Sequence, residues 1–244
     1  MYVAEAPEWL VPAFTRSVVA AGGTATADEI RTVAGRLLDR WSVPHRRFHT
    51  VRHLLDVLAR VEELGREAPE PALVQLGAWY HGAVFDAQIV TGSTRGCEDE
   101  APCAALAVSE LTGLGVPDDR ARRVGDLVTA LVAHDPDPAD LDANVLCDAD
   151  LGVLAAEPQK YRTYLHNVRE EQADVPAAEF LAARRATVTH LLARKTIYRS
   201  PRARPWEEIA RENLQAELHR VDRELSRLVD TEPDPADPVQ EPAS

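Results

Sequence analysis

The stretch Thr50 to Gly65, TVRHLLDVLARVEELG, carries the pattern from which the fold is read. Leu54, Leu55, Leu58, Val61 and Leu64 recur three and four residues apart, the spacing of one stripe along an α-helix. Val124, Leu127, Val128, Leu131 and Val132 repeat the pattern, and no useful length of chain alternates apolar and polar residues as a half-buried strand does. The same period predicts helices at roughly 8–20, 26–41, 50–65, 70–85, 98–114, 118–134, 148–155, 158–173, 176–197 and 205–229. Gly22 and Gly23 stop the first, and Thr26 or Asp28 caps the second. Pro69 and Pro71 reopen the chain after the third, and Pro117 with Asp118 and Asp119 starts the sixth. The expected class is all-α, a single-domain helical bundle.

Two stretches lack periodicity: Ala87 to Gly96, and Asp135 to Asn144, which is rich in Asp and Pro. Loops of this kind in a helical domain often shape a site. The tail from Thr231 to Ser244 has almost nothing to bury and is expected to be disordered, leaving residues 1–230 as the domain. No internal repeat is present.

Composition narrows the function classes. The chain of 244 residues is 45% apolar, enough for one sizeable core, and its formal charge of -13 argues against nucleic acid or an anionic membrane as partner. Its basic residues are nearly all Arg, with Lys160 and Lys195 the only lysines, so guanidinium forks are available for phosphate or carboxylate. The three cysteines, Cys97, Cys103 and Cys147, cannot all pair within one chain and have no zinc-knuckle or dithiol spacing, which fits a reducing, cytoplasmic setting. Met1 to Ala21 reads as neither signal peptide nor anchor, and no apolar run reaches bilayer-spanning length.

The residues that could carry chemistry form an ordered series. His49 and His53, four apart, share one face at the start of the third helix; His81 closes the fourth, His134 closes the sixth, and Asp148 and Asp150 open the next. Imidazoles and carboxylates supplied by different helix ends are how a helical bundle builds a metal site in its core. Each also has a plainer reading. A His at a helix C-terminus suits the dipole, and Asp148-Ala149-Asp150 reads equally as a helix N-terminus with one Asp capping. Arg169-Glu170-Glu171 reads as a solvated face. Trp79, Tyr80 and Phe85 read as core, Tyr161 and Tyr164 as a packed pair, and Cys147 as a small buried apolar residue.

These residues in this order resemble the HD superfamily of metal-dependent phosphohydrolases, in particular a family of small bacterial proteins predicted to be such hydrolases. The matching stretches are Arg47-Phe48-His49-Thr50 with His53, Leu76 to His81 with Val84-Phe85-Asp86, and Asp99-Glu100 before Cys103-Ala104. They continue with His134, Leu146 to Leu151 with Leu154, Tyr161, Tyr164 and Val168-Arg169-Glu170, and end with Arg185, Tyr198 and Ala210 to Leu214. Together they cover nearly the whole chain.

The resemblance implies an HD-like helical fold holding a divalent metal, with Mn, Fe, Zn, Ni, Co and Mg all open. It implies His53, His81 and Asp148 or Asp150 as ligands, His134 as a further ligand, and Glu100 or Asp150 as the group that activates or orients water. His49 would face the substrate, and Arg46, Arg47 or Arg169 would grip a phosphate. The substrate class implied is a small phosphate ester or nucleotide. Gly82 stands where the family carries the Asp of its His-Asp pair, so a relative that binds a ligand without hydrolysis is the alternative, and Asp86 is a candidate replacement. A third reading makes the final helix, Trp206 to Leu228, the seam of a homodimer.

Overall fold

A computed structural model describes residues 6–85, 90–91, 94–95 and 100–231; for 90, 91, 94, 95, 100 and 229–231 the description stops at secondary structure. The described residues form ten α-helices: α1 (Leu10–Ala20), α2 (Ala27–Trp41), α3 (Val51–Leu64), α4 (Pro71–Tyr80), α5 (Glu100–Gly113), α6 (Asp118–Ala130), α7 (Leu141–Leu151), α8 (Pro158–Glu171), α9 (Ala177–Ala193) and α10 (Trp206–Thr231). Short 3-10 turns lie at Gly152–Ala155 and Pro201–Ala203, and Val90–Thr91 pairs antiparallel with Thr94–Arg95. The chain is all-α, as its periodicity predicts. The predicted tail falls outside the described residues beyond Thr231.

Local chemistry sets several helix ends. Thr26 caps α2 in a reciprocal capping box: its hydroxyl accepts from the Glu29 amide, and the Glu29 carboxylate accepts from the Thr26 amide. Pro71 opens α4, where a missing N–H costs nothing. Between α5 and α6 the chain reverses at Gly115, whose φ of +75° is one that glycine adopts without strain.

The central helix is α4, buried from Leu73 through Tyr80 except at Gln75, and packed against α1, α3, α5, α6 and α7. Phe14 of α1 meets the Trp79 ring edge-on at 4.9 Å, and the Trp41 indole of α2 donates to the Trp79 carbonyl. At Gly77 the crossing of α4 and α7 is close: a Cβ there would lie 2.9 Å from Cδ2 of Leu146. Burial of Trp79, Tyr80 and Cys147 agrees with their reading as core, and Tyr161 and Tyr164 pack with ring centroids 5.5 Å apart.

Two helices differ from their sequence reading: α4 ends at Tyr80 with His81 as its C-cap, five residues before the predicted 85, and α7 begins well before the predicted 148. α7 starts at Leu141, capped by Asp140, whose carboxylate accepts from the Ala143 amide and is held by Arg123. Asp148 and Asp150 therefore lie in the last turns of α7, not at a helix N-terminus, and the predicted 148–155 helix is the end of α7 plus a 3-10 turn. α7 is buried on all sides from Asp142 to Ala149, so it has no polar stripe to reveal its period. The Asn213 amide of α10 donates to the carbonyls of Leu154 and Ala156 and fixes that turn.

Candidate metal centre

Three side chains converge from three elements. His53 stands in the first turn of α3, His81 at the C-terminal end of α4, and Asp150 in the last turn of α7. His53 Nε2 lies 3.2 Å from His81 Nε2 and 3.1 Å from Asp150 Oδ1, and His81 Nε2 lies 3.6 Å from the same oxygen. The three ligand atoms form one group able to hold a metal ion.

The chemistry of the donors fits that use. His81 Nδ1 is 2.7 Å from the Ala78 carbonyl, which only accepts, so the proton sits on Nδ1 and the Nε2 lone pair faces the cluster. Burial pushes the His81 pKa down to about 3 and also lowers that of His53, which leaves both imidazoles neutral. Burial alone would raise Asp150, but hydrogen bonds from His134 and His53 hold its carboxyl well below the usual range. Without an ion the His53 Nε2 proton bridges to Asp150; a divalent cation would take that proton's place, met by two imidazole nitrogens and one anionic oxygen. For metal–ligand bonds near 2.1 Å the edges of a coordination shell run from about 3.0 Å (octahedral) to about 3.4 Å (tetrahedral). The observed triangle of 3.2, 3.1 and 3.6 Å is close to that range.

His134 lies just beyond α6. Its Nε2 is 2.7 Å from Asp150 Oδ2, the oxygen opposite the one facing the two histidines, so it holds the carboxylate and stands outside the three-ligand group. Its backbone φ is +46°, the only non-glycine residue with positive φ among those described. The Arg194 guanidinium donates to the carbonyls of Ala133 and His134 and clamps the strained segment.

The remaining sequence candidates fall in different places. Asp148, two residues before Asp150 and so on the opposite face of α7, accepts from the amides of Arg199 and Ser200 and does not join the cluster. His49 Nδ1 pairs with Glu171 Oε2 at 2.5 Å, and its ring lies 5.5 Å from that of His53. The Arg47 amide donates to the same Glu171 carboxylate. Arg169 donates to the carbonyls of Gln172 and Val175 and lies over the Phe180 ring, away from the cluster in the groove between α8 and α10. Asp86 and the Glu100 side chain lie outside the described residues.

Two residues matter more than their sequence context suggests. Glu171, read as part of a solvated face, is buried and accepts from the amides of Arg47, Phe48 and His49. Arg46, grouped with the phosphate-gripping candidates, is 5% exposed and donates to the carbonyls of His49 and Gly82, with Trp41 and Phe85 rings about its guanidinium. It ties the entry to α3 to the exit from α4, the two segments that carry His53 and His81. Neither role has a side-chain signature, since each depends on main-chain groups, Gly82 for Arg46 and Arg47 to His49 for Glu171, far away in sequence.

Among the described residues no helix is long and apolar enough to cross a membrane. Compared with models of known protein families, with curated proteins and with solved structures, the chain matches none.

Proposed function

We propose that the protein is a metal-dependent phosphohydrolase acting on a small phosphate ester or nucleotide. The observation that carries this reading is the His53–His81–Asp150 cluster, which brings two buried neutral imidazoles to one half-buried carboxylate. The HD-like order of the same residues along the chain supports it. A divalent ion held there would polarise a phosphoryl oxygen and lower the pKa of a bound water toward neutrality. The protein's own part is to fix the donors. Ala78 sets the His81 tautomer, His134 holds Asp150, and Glu171 holds the main chain of Arg47 to His49 beside the cluster. His49, paired with Glu171 through Nδ1, stands with its ring 5.5 Å from that of His53, within reach of a phosphate group held beside the cluster. Nitrogen donors favour manganese, iron, cobalt, nickel or zinc over magnesium.

The test is elemental analysis of chelator-free protein, followed by hydrolysis of aryl phosphate and nucleotide substrates with the metal found. About one metal ion per chain, lost together with hydrolysis in His81→Gln, is the expected result. Metal-free protein whose melting temperature does not rise on adding manganese, nickel or zinc overturns the reading.

Gly82 favours a second reading, in which the pocket binds a phosphorylated ligand without hydrolysing it. The position after His81 has no side chain to offer, and its carbonyl is occupied by Arg46. Tight binding of a nucleotide with no turnover under any of these metals is the result that selects it.

A further inference from the structure

α8, α9 and α10 line a half-open cavity of about 330 Å³ that the His–Asp cluster does not use. Its floor is apolar, built from Leu165, Val168, Phe180, Leu181 and Val221. Four arginines, Arg162, Arg169, Arg184 and Arg220, line it with His166, against two acids, Glu217 and Glu224.

The charges there are not balanced locally. Glu217 is committed, because its carboxylate accepts two hydrogen bonds from Arg184 and a third from the Tyr161 hydroxyl. Arg162, Arg169 and Arg220 are left facing the single carboxylate of Glu224, and none of the three makes an ion pair among the described residues. Elsewhere Arg120, Arg123, Arg185, Arg199 and Arg211 each hold a carboxylate. Arg162 donates to the Gln159 side-chain oxygen and Arg169 to two carbonyls, so among the described residues neutral acceptors meet them and no carboxylate does. In a chain with 40 acidic and 27 basic residues, guanidinium groups that make no ion pair around one apolar hollow mark a place where negative charge is missing. The volume is that of a small-molecule site, and an apolar floor with a few convergent polar groups is the usual composition of one.

We propose that the α8–α10 cavity binds a small organic anion, with its phosphate or carboxylate group held by Arg162 and Arg220 and its apolar body on the Phe180–Leu181–Val221 floor. Arg169 is already tethered to two carbonyls and contributes field more than new hydrogen bonds. Phosphate and carboxylate each offer two oxygens to the planar guanidinium fork, so the head group is decided by experiment.

The full-length protein is titrated calorimetrically with 2-naphthyl phosphate, 2-naphthoate and inorganic phosphate. Saturable binding of one or both naphthyl compounds is expected, tighter than inorganic phosphate, and which of them binds better identifies the head group. The double variant Arg162→Gln, Arg220→Gln should weaken that binding by about tenfold or more at unchanged melting temperature. His81→Gln should leave it unchanged, which separates this cavity from the candidate metal centre. No saturable binding of either naphthyl compound overturns the proposal. So does binding that is indifferent to the double variant, that disappears with His81→Gln, or that is no tighter than for inorganic phosphate.

Discussion

His134 Nε2 lies 2.7 Å from Oδ2 of Asp150, while Oδ1 of the same carboxylate faces His53 at 3.1 Å and His81 at 3.6 Å. One carboxylate is thus gripped from behind by one imidazole and offered to two others. His134→Ala should lower affinity for the added divalent metal by about 10- to 100-fold without abolishing it, the size of effect typical of a residue that orients a ligand. Asp150→Asn should abolish it. Equilibrium dialysis with manganese or zinc distinguishes the two, and full affinity in His134→Ala would show that the strained turn serves the fold alone.

Gly82→Asp should raise metal affinity by about tenfold or more through an added carboxylate beside His81. Gly82 is not among the residues with positive φ, so its backbone conformation is open to Asp. The Arg46 bond goes to the residue 82 carbonyl and survives the change. Competition against a chelator provides the measurement; unchanged affinity would mean that a side chain at position 82 does not reach the cluster.

Glu171 makes acid stability a local property. Burial opposes its ionisation, but pairing with His49 and the amides of Arg47 and His49 draws its pKa from 4.5 down to about 2. A carboxyl depressed on folding stabilises above its unfolded pKa, and that contribution disappears as pH falls through the folded value. Glu171→Gln should therefore cost about 3 kcal/mol at neutral pH. The gap to the parent should close between pH 4.5 and about 2, read from urea unfolding at a series of pH values. A gap that persists undiminished at the acid end would contradict this.

Arg46→Gln removes a buried charged donor from two carbonyls and from between two aromatic rings. The expected loss is about 2–4 kcal/mol of unfolding free energy. Arg46→Lys should recover only part of it, because an ammonium lacks the planar fork. Equal stability of parent and Arg46→Gln would show that the two segments are held by packing instead.

The helices were legible in the sequence wherever one face meets water. α3 shows this best: Leu54, Leu58 and Val61 are buried at the spacing that predicts them, and the Thr26 and Pro71 signals fall at the true starts of α2 and α4. α4 and α7 are both enclosed, with no polar side to show their period; Pro71 marks the start of α4, whereas Pro136 and Pro138 disguise the approach to α7, whose start was not legible. The choice between Asp148 and Asp150 fails for a related reason. Helical geometry places residues two apart on opposite faces, but which face meets His53 and His81 depends on how α7 is rotated against α3 and α4. Glu171 and Arg46 act on main-chain groups, and such partners leave no mark in side-chain patterns.

The close crossing at Gly77 and Leu146 works as a spacer for the cluster. Gly77 precedes His81 by four residues and Leu146 precedes Asp150 by four, so the contact between α4 and α7 lies one helical turn below both donors. The reach from His81 to Asp150 is governed there, by a methyl group that is not present. A bulkier residue at position 77 would act as a wedge, prising apart two donors it never touches. The aperture of the cluster is therefore a property of the helix pair, and repacking Leu146 is a means of adjusting it from a distance.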